Sequence, residues 1–256
     1  RYFSRDTDLP LTIGLLVDVS NSQRALLAEE KRTAEQFLAK VLRPQDLAFL
    51  ISFGAEAELL QDSTASVALL RRGLDQLRLS TDGGAISPTG TPLPTVYQPR
   101  GTVLYDAVYL AATEKLRHEV GRKAIVLITD GVDQGSRLKL ADAIEAAHKA
   151  DAVIYSVYAF DPSAYARGGL VYTPGDSDLK RMSEQTGGRL FRVSRKEPLE
   201  SIFRQIQEEM RSQYSLGYVS SNPQRDNTFR RLEVRVRQKG YKVQARKGYY
   251  AVTSGQ

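Results

Sequence analysis

Cysteine is absent from the 256-residue chain, which excludes a disulfide framework, a thiolate zinc site and a cysteine nucleophile. Histidine is scarce: only His118 and His148 occur. Both fall near the C-termini of predicted helices, without metal-ligand spacing or an adjacent nucleophile motif, so histidine catalysis is not expected. The sequence also lacks a Gly-x-Ser-x-Gly elbow, a P-loop and a His-Glu-x-x-His helix. No apolar run approaches the roughly 20 residues of a membrane helix. The longest runs, such as Leu15–Val17 and Ala124–Ile128, suit buried strands. The chain starts at Arg1, with neither Met nor a signal-like segment, and reads as a piece of a longer protein.

What is present is an ordinary globular composition, 41% hydrophobic and 26% charged, so a sizeable core can be buried. The net charge of +6 is concentrated near the C-terminus, where Arg225, Arg230, Arg231, Arg235, Arg237, Lys239, Lys242, Arg246 and Lys247 face only Asp226 and Glu233. No aromatic RNA-binding signature or helix-turn-helix pattern accompanies them, and they read as a solvated strand face rather than a nucleic-acid site.

Hydrophobic periodicity alternates between strand and helix. Strands are expected at 11–17, 46–53, 123–129, 152–159 and 189–193, with a short edge strand at 56–61. Helices are expected at 22–42, 67–77, 102–119, 136–149, 178–186 and 198–212, with Ser136 as an N-cap. In the last helix Leu199, Ile202, Phe203, Ile206 and Met210 share one face. This alternation predicts an α/β fold, Rossmann-like and doubly wound around a mostly parallel sheet. The pattern then changes. Strands at 214–219, 229–237 and 241–250, with a turn at Lys239-Gly240, predict a small C-terminal antiparallel β annex. The expected division is a domain over 10–213 and an annex over 214–250. Two long connections, 80–101 and 160–175, carry Tyr97, Tyr165 and Tyr172, and loops of that length are commonly functional.

At the end of the first predicted strand the chain reads Asp18-Val19-Ser20-Asn21-Ser22. In a parallel sheet, ligands sit outside the carboxyl ends of the strands. Asp18 lies at such an end, and Ser20 and Ser22 lie in the turn after it, so one carboxylate and two hydroxyls can converge on one point. Two more segments return to that edge: Asp130 follows the strand at 123–129, and Thr102 opens a helix. Hard oxygen donors of this kind suit Mg²⁺, which takes about six oxygens.

Asp18, Ser20, Ser22, Thr102 and Asp130 resemble, in order, the metal-ion-dependent adhesion site (MIDAS) of the von Willebrand factor A (VWA) family. The likeness extends from about Pro10 to Ser212. The segments Phe3–Leu11, Gln213–Tyr218 and Arg246–Tyr250 are similar to a bacterial subgroup of VWA-related domains described from Acidobacteria, whose members usually carry a β-rich segment ahead of the A domain. The resemblance implies Mg²⁺ (or Mn²⁺ or Ca²⁺) held by those five residues. It also implies a protein partner that supplies an Asp or Glu to the metal, and an exported location: periplasmic, cell-surface or secreted. A binding domain, not an enzyme, is therefore expected. The alternatives are a Mg²⁺-dependent phosphotransferase, which needs a second acid where Ser20 stands, and a cytosolic scaffold working with a motor ATPase. Asp133 is open to two readings, an outer-sphere metal partner or a turn residue. Asp106, one helical turn after Thr102, either holds the neighbouring loop or is a surface acid.

Overall fold

A computed structural model describes residues 2–5 (backbone), 9–80, 101–161 and 175–252. The long loops at 81–100 and 162–174, with Tyr97, Tyr165 and Tyr172, lie outside the described residues.

The strands are β1 (Tyr2–Arg5), β2 (Leu11–Asp18), β3 (Leu47–Phe53), β4 (Ala57–Thr64), β5 (Arg122–Thr129), β6 (Ala152–Tyr158), β7 (Leu190–Arg192), β8 (Tyr214–Gly217), β9 (Phe229–Arg231) and β10 (Gly248–Tyr250). The α-helices are α1 (Leu27–Val41), α2 (Val67–Gln76), α3 (Leu104–Leu110), α4 (Leu140–Lys149), α5 (Asp176–Thr186) and α6 (Leu199–Arg211). Six strands form the central sheet in the order β4-β3-β2-β5-β6-β7. All pairings are parallel except that of β4, the edge strand, with β3.

The continuous apolar runs have a physical cause: both faces of the sheet are covered. All eight residues of β2 are buried. Leu11, Ile13, Leu15 and Val17 pack with α1, α2 and α6 on one face, while Leu16 packs with α3, α4 and α5 on the other. Phe37 of α1 stacks on Phe203 of α6 with ring centroids 4.6 Å apart. Below them Asp46 is fully buried, yet fully satisfied. It accepts hydrogen bonds from the Leu11 and Arg43 amides at 2.9 and 3.0 Å and pairs with Arg211 at 2.8 Å. A buried carboxylate is tolerated when it is paired and hydrogen-bonded in this way.

Several helices are shorter than the periodicity suggests. The predicted helix at 22–42 splits into a 3-10 turn at Asn21–Gln23 and α1, because the chain first curls Ser20 and Ser22 back over the sheet edge. The predicted helix at 102–119 is α3, followed by a π turn at Ala111–Lys115 and a 3-10 turn at Leu116–His118. Ser136 is not the N-cap of α4. That helix starts at Leu140, where the Asp142 carboxylate accepts the Lys139 amide at 2.8 Å.

The C-terminal segment also departs from expectation. β8 pairs antiparallel with β1, from the other end of the chain. β9 and β10 pair over only three residues each. Alternating Leu232, Val234 and Val236 form no further ladder, although Gly240 does turn the chain with φ +91°. Alternation marks a side chain's potential face, but a ladder needs a packing surface, and residues 233 and 235–242 are exposed. Among the described residues no helix is long and apolar enough to cross a membrane.

The β9–β10 pair docks on α4 through His148. The imidazole is buried between the rings of Phe229 (5.4 Å) and Tyr250 (6.2 Å), and Lys149 lies over Tyr250. Burial, with Arg246 adding repulsion, lowers the His148 pKa from 6.5 to about 4. The neutral ring's contribution is therefore complete above pH 6.5 and is lost as pH falls through about 4. We predict that amide exchange in Phe229–Arg231 and Gly248–Tyr250 rises across that acid window, and that His148→Phe abolishes the rise. An unchanged pH response in the variant would remove His148 from this role.

Candidate metal centre

The strand order reverses between β2 and β5: from β2 the chain moves outward through β3 and β4, then returns to β5 and continues the other way. Such a switch point leaves a crevice at the carboxyl ends of the two strands. Asp18 ends β2, and Asp130 follows the last residue of β5. Both are buried, at 0% and 1% exposure.

Local hydrogen bonds fix the Asp18 carboxylate. One oxygen accepts the Ser20 amide at 2.8 Å, and the other accepts the Thr129 hydroxyl at 2.6 Å. Ser20 has extended backbone and makes no side-chain cap to the following turn. Its hydroxyl instead meets that of Ser22 at 2.9 Å, so the two serines are paired and not spent on helix capping. Gln23, fully buried, anchors the turn by donating to the Ala159 carbonyl at the end of β6.

Asp130 sits in a tight turn in which its carboxylate accepts the Val132 amide at 3.2 Å. Gly131 has φ +80°, and a Cβ there would lie 2.5 Å from the Gly175 carbonyl oxygen. Only glycine fits both the conformation and the approach. Thr129 joins the two acids' segments: its hydroxyl accepts the Gly131 amide at 3.0 Å while donating to Asp18.

Thr102 reaches this edge through its backbone. Its carbonyl accepts the Gln134 and Gly135 amides, both at 3.1 Å. Gly101 and Gly135 pack backbone to backbone, and a Cβ on Gly135 would fall 2.1 Å from the Gly101 carbonyl oxygen. The two acids left open by the sequence serve the same junction. Asp106 accepts the Arg137 and Leu138 amides at 3.0–3.1 Å. Asp133 accepts the Tyr105 amide at 3.3 Å and the Ser136 hydroxyl. The Ser136 hydroxyl in turn accepts the Tyr105 and Asp106 amides at 3.0 and 3.2 Å, capping α3 from a distant segment. The loop after Asp130 and the helix after Thr102 are thus latched together.

Of the motif residues, Asp18, Ser20 and Ser22 are in direct hydrogen-bond relation, Asp130 acts on Asp18 by charge, and the Thr102 carbonyl is tied to the loop after Asp130. Thr129 and Ser136 were not legible as site residues. Their partners lie 111 and about 30 residues away, and no local signal marks them.

The electrostatics are unfavourable as they stand. Burial first, then the charge of Asp130, raises the Asp18 pKa from 3.8 to about 7, against the hydrogen bonds from Thr129 and Ser20. No cationic side chain among the described residues contributes to this shift. Among the described residues no three His, Cys or acidic side chains converge on one point, so a cation here would be held by two carboxylates and hydroxyls. That donor set is all hard oxygen, which fits Mg²⁺, Mn²⁺ or Ca²⁺.

Neither a protein-family model nor a curated protein sequence matches the chain. Solved structures do. An aerotolerance-related membrane protein from Bacteroides fragilis, solved with multiple mutations to serine, superposes with a TM-score of 0.54 at 19% identity, covering 79% of this chain and 98% of its own. A von Willebrand factor type A protein from Catenulispora acidiphila gives 0.56 at 14% identity over 77% of this chain and 42% of its own. Proximal thread matrix protein 1 of the mussel byssus, with a zinc-occupied MIDAS motif, gives 0.58 at 16% identity over 84% and 50%. The chain has the VWA fold. In VWA terms, the crevice between β2 and β5 is the position at which the sequence resemblance puts the adhesion site.

A group whose folded pKa is raised contributes stability that is present below its unfolded pKa and lost as pH rises through the folded one. For Asp18 that window runs from about pH 4 to about pH 7, a loss of at most about 4 kcal/mol at 1.36 kcal/mol per pH unit. We predict that, in chelator, the parent loses stability relative to Asp18→Asn across this window, measured by urea unfolding at a series of pH values. Parallel curves for the two proteins would contradict the assignment of strain to Asp18.

Proposed function

We propose that this chain is a divalent-cation-dependent protein-binding domain. Asp18, Ser20, Ser22, Thr102 and Asp130 hold Mg²⁺, Mn²⁺ or Ca²⁺, and the cation takes an Asp or Glu carboxylate from a partner protein. The observation that carries this reading is the buried Asp18–Asp130 pair, two like charges held at a topological switch point and flanked by paired serine hydroxyls. A bound divalent cation would relieve that repulsion and offer a coordination position for an external acid. The chain's own part is to hold the oxygens in place: Thr129 orients Asp18, the Val132 amide orients Asp130, and the latch at Asp106, Asp133 and Ser136 fixes the approach of Thr102.

The mussel protein's zinc-occupied MIDAS supports metal binding by this fold, and the VWA neighbours support a protein partner. We assign a binding role over phosphotransfer because Ser20, paired to Ser22, stands two residues after Asp18, where a phosphotransferase needs a second acid. The binding unit is residues 10–213, with 214–250 as an annex. The likeness to a membrane-associated aerotolerance protein and to a streptococcal minor pilin favours an extracytoplasmic location.

The test is thermal melting of the parent and Asp18→Ala in chelator and in excess Mn²⁺. Metal binding only to the folded parent stabilises it by about 2.7 kcal/mol at 100 times the dissociation constant, a rise of roughly 5–11 °C for a chain of this size. Asp18→Ala should show no rise, and in chelator it should melt no lower than the parent, because a like-charge contact has been removed. An equal rise in both proteins would place the ion elsewhere and end this reading.

A further inference from the structure

A third buried carboxylate, on the helix that follows the Ser20–Ser22 turn, has no explained role. Glu30 lies on α1, seven residues after Gln23, on a helix face that is buried against the sheet. It is 2% exposed, and among the described residues neither carboxylate oxygen has a hydrogen-bond partner. The Gln23 Oε1 is likewise buried and unpartnered. With Glu30 ionised these three atoms are all acceptors, so they call for positive charge or donors, not for more acceptors.

The contrast with Asp46 is instructive. That carboxylate, equally buried, holds two amides and Arg211. Glu30 has none of these. Burial first, then the charges of Asp18, Asp130 and Glu29, all acidic, raise its pKa well above the ordinary carboxylate range. An ionised carboxylate buried without a partner among the described residues is costly. Positive charge placed between Asp18 and Asp130 would offset it. Glu30 does not reach that point itself, since among the described residues no three acidic side chains converge closely enough to share an ion. Coulomb attraction falls only as the inverse of distance and is weakly screened in a buried site, so contact is unnecessary.

Building on the cation-site reading above, we propose that Glu30 is a positioning charge of that site: an outer carboxylate that raises its affinity for a divalent cation without ligating it. In this arrangement Asp18 and Asp130 supply direct oxygens, and Glu30 supplies a third negative charge from the α1 side. The residue's burial without partners is then the metal-free half of a functional pair.

The experiment is calorimetric titration of the full chain with Mn²⁺, using the parent, Glu30→Gln, Glu30→Met, Glu30→Asp and Asp18→Ala. Loss of a negative charge that acts on the ion through a weakly screened interior should weaken Mn²⁺ binding by about tenfold or more in both neutral variants, Glu30→Gln and Glu30→Met. Glu30→Asp, which keeps the charge, should stay closer to the parent. In chelator the neutral variants should melt at or above the parent, a result that a purely structural role for Glu30 would reverse. Parent-like Mn²⁺ affinity in the neutral variants that fold would overturn the proposal, as would equal losses in Glu30→Asp and Glu30→Gln, which would implicate shape instead of charge. Asp18→Ala separates the two levels. If it binds Mn²⁺ as the parent does, the cation site itself is wrong. If it fails to bind while Glu30→Gln binds normally, only the role of Glu30 falls.

Discussion

Repulsion between two buried carboxylates at adjacent strand ends is the constraint on which the rest of the site depends. Asp18 and Asp130 are held together by a sheet whose β2 and β5 strands are hydrogen-bonded over seven residue pairs. The core supplies the energy that holds them: β2 and the inner part of β5 are fully buried, with helices on both faces. The sheet stores the unfavourable contact, and a bound cation would release it. The Thr129 hydroxyl shows how closely this is managed, since it bridges a backbone amide of one acid's turn to the side chain of the other acid.

The helices and loops around the crevice serve placement as well as stability, in contrast to the surroundings of Asp46, a buried acid that is fully paired. Latching of the 131–138 loop to the start of α3 uses three side chains, Asp106, Asp133 and Ser136, for one junction. That junction sets the distance between Thr102 and Asp130. The glycines at 131 and 135 allow the backbones to approach to a degree that any Cβ would prevent. A site assembled from three chain segments is thereby held on rigid elements, as preorganised sites require.

Much of this was legible in the sequence. The central strands announced themselves as unbroken apolar runs, because a doubly covered sheet leaves no polar face. Asp18, Ser20 and Ser22 could be placed because their spacing sits at a strand end, and Asp130 because it follows another. What was illegible depends on contacts between distant segments. Ser136 reads as a cap for the helix after it but caps α3. β8 reads as the first strand of a C-terminal annex but pairs with β1. Glu30 reads as one more acid on a charged helix, in the run Glu29-Glu30-Lys31-Arg32, and only its burial against the sheet singles it out. The break of α3 into a π turn at Ala111–Lys115 has no sequence signal that we can identify.

The VWA neighbours share the fold at 10–19% identity, so the crevice chemistry has to be judged on this chain's own atoms. The proposal that rests on those atoms is that a divalent cation belongs between the end of β2 and the end of β5. The most direct measurement is anomalous diffraction from crystals of the protein grown with Mn²⁺. The account predicts a manganese peak within coordination distance of Asp18 and the Ser20 and Ser22 hydroxyls, with the Asp130 carboxylate beside it. A well-ordered crevice without a peak at saturating Mn²⁺, or a peak bound only at another surface, would contradict it.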